Sequence, residues 1–110
     1  MIDKAQALDA IELYRLALGR GGITARQIVL FGSFAAGQEH PGSDIDIVVI
    51  SEDFIGKDHE SRIAALSDAV VQVMVPIEAV AATPDEWDHQ ASEVLGWARD
   101  GETVFPAAVE

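Results

Sequence analysis

Two acidic residues separated by one position, Asp44 and Asp46, follow a Gly32-Ser33 pair after a spacer of ten residues. They lie between two apolar runs that read as strands, Ile28-Val29-Leu30-Phe31 and Ile45-Asp46-Ile47-Val48-Val49-Ile50. Side chains alternate faces along a strand, so Asp44 and Asp46 are expected on the same face with Ile45 pointing away. Carboxylates set side by side repel unless something neutralises them, and a hard divalent cation that takes oxygen ligands, typically Mg²⁺, does so. A Gly-Ser turn at the end of the preceding strand is a place where backbone N–H groups can meet a phosphate. Metal-binding carboxylates beside a phosphate-binding turn point to phosphoryl or nucleotidyl chemistry. The plain alternative for Asp-x-Asp is a strand with one wet face. Asp46, however, interrupts a continuous apolar strand, where a carboxylate without a partner is costly.

The elements that must hold these residues follow from periodicity and punctuation. Ala7, Ile11, Tyr14 and Leu18 fall at helical spacing from Asp3 to about Leu18, and Gly19-Arg20-Gly21-Gly22 stops that helix. After the first strand, Phe34 to Gly37 reads as a half-turn of helix and Gln38 to Gly42 as a loop. The second strand runs from Asp44 to Ile50. Asp58 then caps a helix whose buried stripe is expected to be Ile63, Leu66, Val70, Val73 and Met74, ended by Pro76. Ile77 to Ala82 is a third strand. Thr83-Pro84-Asp85-Glu86 opens a final helix by a capping box, with Trp87, Ala91, Val94, Leu95 and Ala98 as its apolar side and Gly101 as its stop. Thr103-Val104-Phe105 reads as a short edge strand. The order helix, strand, strand, helix, strand, helix predicts a small α/β (α+β) domain, with a mixed β-sheet and helices packed on it. The helix between the second and third strands implies that those two strands are parallel or nearly adjacent.

The whole chain, 1–110, reads as a single domain, and a hydrophobic content of 49% excludes a disordered chain. No apolar run is long enough to cross a bilayer, and Met1-Ile2-Asp3-Lys4 shows no secretory signal, so a cytoplasmic protein is expected. Without cysteine there is no disulfide, thiolate metal site or cysteine nucleophile. The net charge is −12, and the seven basic residues (Lys4, Arg15, Arg20, Arg26, Lys57, Arg62 and Arg99) are scattered. Direct binding of a long nucleic acid needs a concentrated positive surface, which this sequence lacks. A nucleoside triphosphate accompanied by Mg²⁺ remains a suitable ligand, and the acidic surface suits a basic protein partner.

Gly32-Ser33-Phe34-Ala35-Ala36-Gly37 followed by Ser43-Asp44-Ile45-Asp46-Ile47 closely resembles the signature of the minimal nucleotidyltransferases, within the DNA polymerase β-like nucleotidyltransferase superfamily. The resemblance implies a nucleotidyltransferase fold over nearly the whole chain. It implies that Gly32 allows close backbone approach and that Ser33 hydrogen-bonds the β- or γ-phosphate. Asp44 and Asp46 would hold two Mg²⁺ ions that clamp the α-phosphate. A third carboxylate on a later strand serves in the family as general base or further metal ligand, and the matching position is Glu78, in Pro76-Ile77-Glu78-Ala79-Val80. Two departures stand out. The family usually has Asp where this chain has Glu78, and often Arg where it has Ala36; Lys57 and Arg62 are the candidates to replace that cation.

The activity implied by the resemblance is Mg²⁺-dependent transfer of a nucleoside monophosphate, AMP from ATP, to a hydroxyl acceptor with release of pyrophosphate. Minimal nucleotidyltransferases of this kind pair with small helical HEPN-domain toxins in toxin–antitoxin modules. The acceptor would then be a tyrosine of the toxin, with AMPylation as the antitoxin activity and an oligomer formed with the partner. The competing reading is a binding module of the same fold, catalytically weak or inactive, that neutralises its partner by contact. A further class, transfer to a small hydroxylated molecule, lacks an acceptor domain here. Tyr14 is expected to pack on the first helix, although an exposed tyrosine there would be a self-modification acceptor. His40, His59 and His89 read as surface residues, and Trp87 and Trp97 as core and interface residues.

Overall fold

The run richest in β-branched residues takes the middle of the molecule. In the computed structural model, which describes residues 2–106, the elements follow in the order α1 (Lys4–Arg20), β1 (Gln27–Phe31), α2 (Gly32–Ala36), β2 (Ile45–Ile50), a 3₁₀ turn (Glu52–Phe54), α3 (His59–Val73), β3 (Ile77–Ala82), α4 (Pro84–Asp88), α5 (Glu93–Ala98) and β4 (Glu102–Phe105). The four strands form one sheet in the order β3-β2-β1-β4. β1 is antiparallel to both β2 and β4, whereas β2 and β3 are parallel, as a helical crossover between them requires.

β2 is covered on both faces, which explains its near-continuous apolar sequence. Ile45, Ile47 and Val49 join Ile28, Leu30, Tyr14, Leu18, Phe34, Phe54 and Leu66 in a core under α1 and α3. On the other face Val48 and Ile50 pack with Val29, Ala82, Leu95 and Ala98 beneath α5. Asp46 continues the row of Val48 and Ile50, beyond the part of the sheet that α5 covers.

Local chemistry sets the helix starts. The Asp3 carboxylate accepts from the Gln6 N–H at 2.8 Å, while the Gln6 side chain accepts from the Asp3 N–H at 2.9 Å. Thr83 and Glu86 close the same reciprocal pair at α4, as the sequence predicts. Asp58 caps α3 through the Ser61 N–H at 2.8 Å.

The fold departs from the sequence-based expectation in two places. The final helix is two helices: Gln90 adopts a left-handed conformation (φ 50°) with its side chain donating to the Trp87 carbonyl at 2.6 Å, and Ser92 caps a fresh start at Glu93. A capping serine in mid-pattern competes with helix continuation, and here it wins. The second departure is the outer flank of α3. Leu66 is buried and Val70 and Val73 are partly buried, but Ile63 is 47% exposed and Met74 88% exposed. β3 is an edge strand, so among the described residues no further strand reaches that flank.

Candidate active site

The sheet register assembles the site. Phe31 lies opposite Asp46 across the β1–β2 pair, and Asp46 lies opposite Glu78 across the β2–β3 pair. Residues directly opposite on neighbouring strands project on the same face, so Asp46 and Glu78 stand side by side. Asp44 is exposed in the approach to β2, Asp46 is half-buried and Glu78 is exposed. The site is therefore an open shelf at one end of the sheet rather than an enclosed cavity.

Gly32 is shaped to this shelf. It begins α2 at φ 73°, a left-handed conformation that favours glycine. A Cβ placed on it would overlap Asp46 Oδ2 and sit 3.1 Å from Asp46 Cγ. The backbone of the Gly-Ser turn thus presses against the carboxyl group itself, which explains the residue type without reference to any ligand. Ser33 follows at half-buried exposure; its carbonyl accepts the N–H of Gly37 and that of Gln38, closing the α2 turn. No side chain caps the start of α2.

Burial raises the Asp46 carboxyl to a pKa of about 6, helped by the neighbouring Glu78 charge, by a hydrogen bond with Glu78 that needs a proton between the two groups, and by the charge of Asp44. Asp46 thus feels both of the other sequence-identified carboxylates, Glu78 more than Asp44. Among the described residues no Lys, Arg or His forms an ion pair with any of the three. No group of three or more His, Asp or Glu side chains in the described residues converges closely enough to form a ready-made metal cage. The donor set is nonetheless all oxygen and all acidic. Its unrelieved repulsion is the condition that a hard dication would remove, so these residues suit Mg²⁺ by their chemistry.

The remaining candidates separate cleanly. Arg62 does not reach the carboxylates. It pairs with Glu86 at 2.7 Å, donates to the carbonyls of Phe54 and Lys57 at 3.1 and 3.0 Å, and lies over the Phe54 ring. These bonds tie α3 to the 3₁₀ turn and α4. Tyr14 is fully buried and its hydroxyl donates to the Leu66 carbonyl at 2.9 Å; burial also raises its pKa. It is packed as expected and closed to self-modification. Trp87 packs partly buried beneath α4, while Trp97 is 68% exposed. His40, His59 and His89 are all exposed.

At one end of the mixed sheet a Gly-Ser turn thus lies against a carboxylate that has two acidic neighbours. Comparison with known proteins gives the family. The sequence model of the nucleotidyltransferase domain family matches residues 19–94, and the chain belongs to that family. No curated protein matches it. Among solved structures, it is similar to a Sulfolobus solfataricus protein proposed to be a nucleotidyltransferase. There the TM-score is 0.69 at 16% identity, over 91% of this chain and 80% of that one, a likeness of fold. It is also similar to a chain in a crystal structure of a toxin–antitoxin with AMP-PNP, with TM-score 0.58 and 26% identity over 89% of this chain and 72% of that one. No helix among the described residues is long and apolar enough to cross a membrane.

Proposed function

We infer that this chain transfers AMP from ATP to a hydroxyl group of a protein partner and releases pyrophosphate. The observation that carries the reading is the register Phe31–Asp46–Glu78 with Gly32 pressed against the Asp46 carboxyl. In this reading Gly32 and Ser33 seat the β- and γ-phosphates by backbone N–H and hydroxyl donation. Asp44, Asp46 and Glu78 would hold Mg²⁺, which supplies charge neutralisation at the triphosphate when bound. Glu78, the most solvent-accessible of the β2–β3 pair, accepts the proton of the acceptor hydroxyl. The hydroxyl oxygen bonds to the α-phosphorus, the bond to the bridging β-oxygen breaks, and pyrophosphate leaves with that electron pair.

Similarity to a toxin–antitoxin chain supports a toxin as the partner, and the −12 charge supports a basic one. We assign the acceptor to a tyrosine of a helical HEPN-type toxin, and the antitoxin role to its modification. Dependence on ATP assigns the reaction to the cytoplasm, with residues 1–110 acting as one domain. A second reading, neutralisation by contact alone, draws on two observations: no basic side chain among the described residues pairs with the carboxylates, and Ala36 stands where the family often has Arg. The test is transfer of label from α-labelled ATP to a co-expressed toxin, with intact mass as readout. A Mg²⁺-dependent gain of one or more AMP units, lost in the Asp44→Asn, Asp46→Asn double variant, supports transfer. A double variant that still silences the toxin completely, without mass gain in either protein, establishes neutralisation by contact.

A further inference from the structure

The outer edge of β3 is unpaired, and it borders the site. The Ile45 N–H donates to the Pro76 carbonyl at 2.9 Å and the Ser51 N–H to the Ala82 carbonyl at 2.9 Å, which bracket the β2–β3 ladder. In a parallel ladder with those ends, the even-numbered backbone groups of β3 face β2. The N–H and C=O groups of Ile77, Ala79 and Ala81 therefore point away from the sheet. None has a hydrogen-bond partner among the described residues. Such an edge is a template for another strand, and natural sheets usually cover it or charge it. Here the outward-facing groups belong to Ile77, Ala79 and Ala81, and Glu78 is the one charge on the strand.

Two hollows run along this edge and share Ile63, Leu66 and Ala79. One, of 380 Å³, also includes Val70, Val71 and Glu78. The other, of 430 Å³, continues past Val80 and Ala81 toward α5. Beside them α3 presents an apolar stripe with Ile63 47%, Val71 75% and Met74 88% exposed. An open strand edge, a flanking apolar stripe and a carboxylate of the site thus form one continuous surface.

Resting on the transfer reading above, we propose that the acceptor is delivered as an extended, basic segment of the partner protein that adds a fifth strand along β3. The register dictates the consequence. The face that carries Phe31, Asp46 and Glu78 in a row gains a fourth member, the segment residue opposite Glu78. Glu78 belongs to the set whose backbone faces inward, so in antiparallel addition this would be a non-hydrogen-bonded pair, with Cα atoms about 4.5 Å apart and side chains close. A serine, threonine or tyrosine there holds its hydroxyl beside the Glu78 carboxylate, which takes its proton as the oxygen attacks. The residues on either side turn to the α3 face, where Ile63 and Leu66 favour apolar side chains. A second copy of this chain is a poor occupant, since it brings another −12 charges and another Glu78 to the same edge.

The probe is an acetylated, amidated peptide, Lys-Arg-Thr-Val-Tyr-Val-Thr-Arg-Lys, and its analogue N-methylated at both valines, which cannot donate to the outward carbonyls of Ile77 and Ala79. The parent peptide should slow amide exchange at Ala79 and Ala81 by about tenfold or more, leaving the already paired Val80 and Ala82 amides unchanged. The methylated peptide, and Ala79→Pro, which removes only an outward donor, should each weaken binding by about tenfold or more. Ala79→Pro should keep its binding of Mg²⁺-ATP. The methylated peptide gives the answer even if that variant fails to fold. Equal binding of the two peptides, no binding of the parent at millimolar concentration, or Ala79 and Ala81 amides already protected in the free protein by a second copy would each overturn the proposal. Edge binding without AMP on the peptide tyrosine leaves the docking intact and removes the transfer reading. Modification without edge protection does the reverse.

Discussion

β2 carries a polar side chain near each end, and the two have opposite surroundings. At the far end Ser51 is fully buried, and every polar contact it needs is present. Its hydroxyl donates to the Thr24 carbonyl at 2.7 Å and accepts the Asp53 N–H at 3.0 Å, while the Asp53 carboxylate accepts the Thr24 N–H at 2.7 Å. At the near end Asp46 is half-buried beside Glu78 and Asp44, and no cation among the described residues pairs with any of them. The Ser51 cluster is complete within the chain, as buried polar groups normally are. Asp46 has only another acid to bond with, so its charge is unsatisfied among the described residues, and the proposed function is what supplies a ligand there. Glu86 and Glu78 repeat the contrast on a smaller scale. Burial raises the Glu86 carboxyl, but the Thr83 backbone and Arg62 together lower it further, for a net shift down, whereas Glu78 faces another acid.

The sharpest way to break this comparison is to remove one end at a time. Asp46→Asn should reduce AMP transfer by about 10³-fold or more, because the developing charge at the triphosphate loses its organising carboxylate. The folded structure should survive, as judged by an unchanged far-ultraviolet spectrum. Ser51→Ala should do the opposite. It leaves the Thr24 carbonyl and the Asp53 N–H without their partner and should cost about 1–3 kcal/mol in denaturant unfolding, with transfer per folded molecule unaltered. If Ser51→Ala abolished transfer without loss of stability, or Asp46→Asn left transfer intact, the division between structural and functional ends of β2 would fail.

The acidic end was the more legible in sequence, and the reason is physical. A carboxylate inside an apolar strand violates the local rule for strand composition, and Gly32-Ser33 and Asp44-Ile45-Asp46 are contiguous enough to be seen without knowing the fold. Glu78 required the third strand as well, and its register against Asp46 could come only from the sheet. The Ser51–Thr24–Asp53 cluster left no trace, since Thr24 is distant in sequence from the other two and all three are of types common in loops. Likewise Arg62 was legible as a cation but not as a tie between α3 and α4, because its partners Glu86 and the Phe54 carbonyl depend on tertiary packing. The break at Gln90 was signalled only by Ser92, a helix-capping residue within an otherwise helical pattern. The exposed flank of α3 was hidden for a different reason. A helical stripe tells which face is apolar, not whether the sheet extends far enough to cover it.

The smallest expected effect sharpens the comparison most, because it reads the unsatisfied end without any ligand. Asp46 titrates near 3.8 when unfolded and about 6 when folded. Between those values the native state holds a proton that the unfolded chain has released. Its contribution to stability is therefore fully present below pH 3.8 and is lost as the pH rises through 6. At neutral pH the metal-free protein thus carries the burial of this charge, and after it the repulsion from Glu78 and Asp44, as a stability penalty of about 1 kcal/mol once the solvent screening of a half-exposed group is allowed for. Asp46→Asn removes the charge and with it the penalty. In metal-free buffer the variant should melt a few degrees above the unmodified protein at pH 7.5, and the difference should shrink to nothing toward pH 4, where Asp46 is protonated in the native state. Mg²⁺ with a non-hydrolysable ATP analogue should raise the melting temperature of the unmodified protein at pH 7.5 and leave that of the variant nearly unchanged. A variant that is less stable than the unmodified protein at pH 7.5 would mean that Asp46 is held by favourable contacts like those of Ser51, and the two ends of β2 would then be alike.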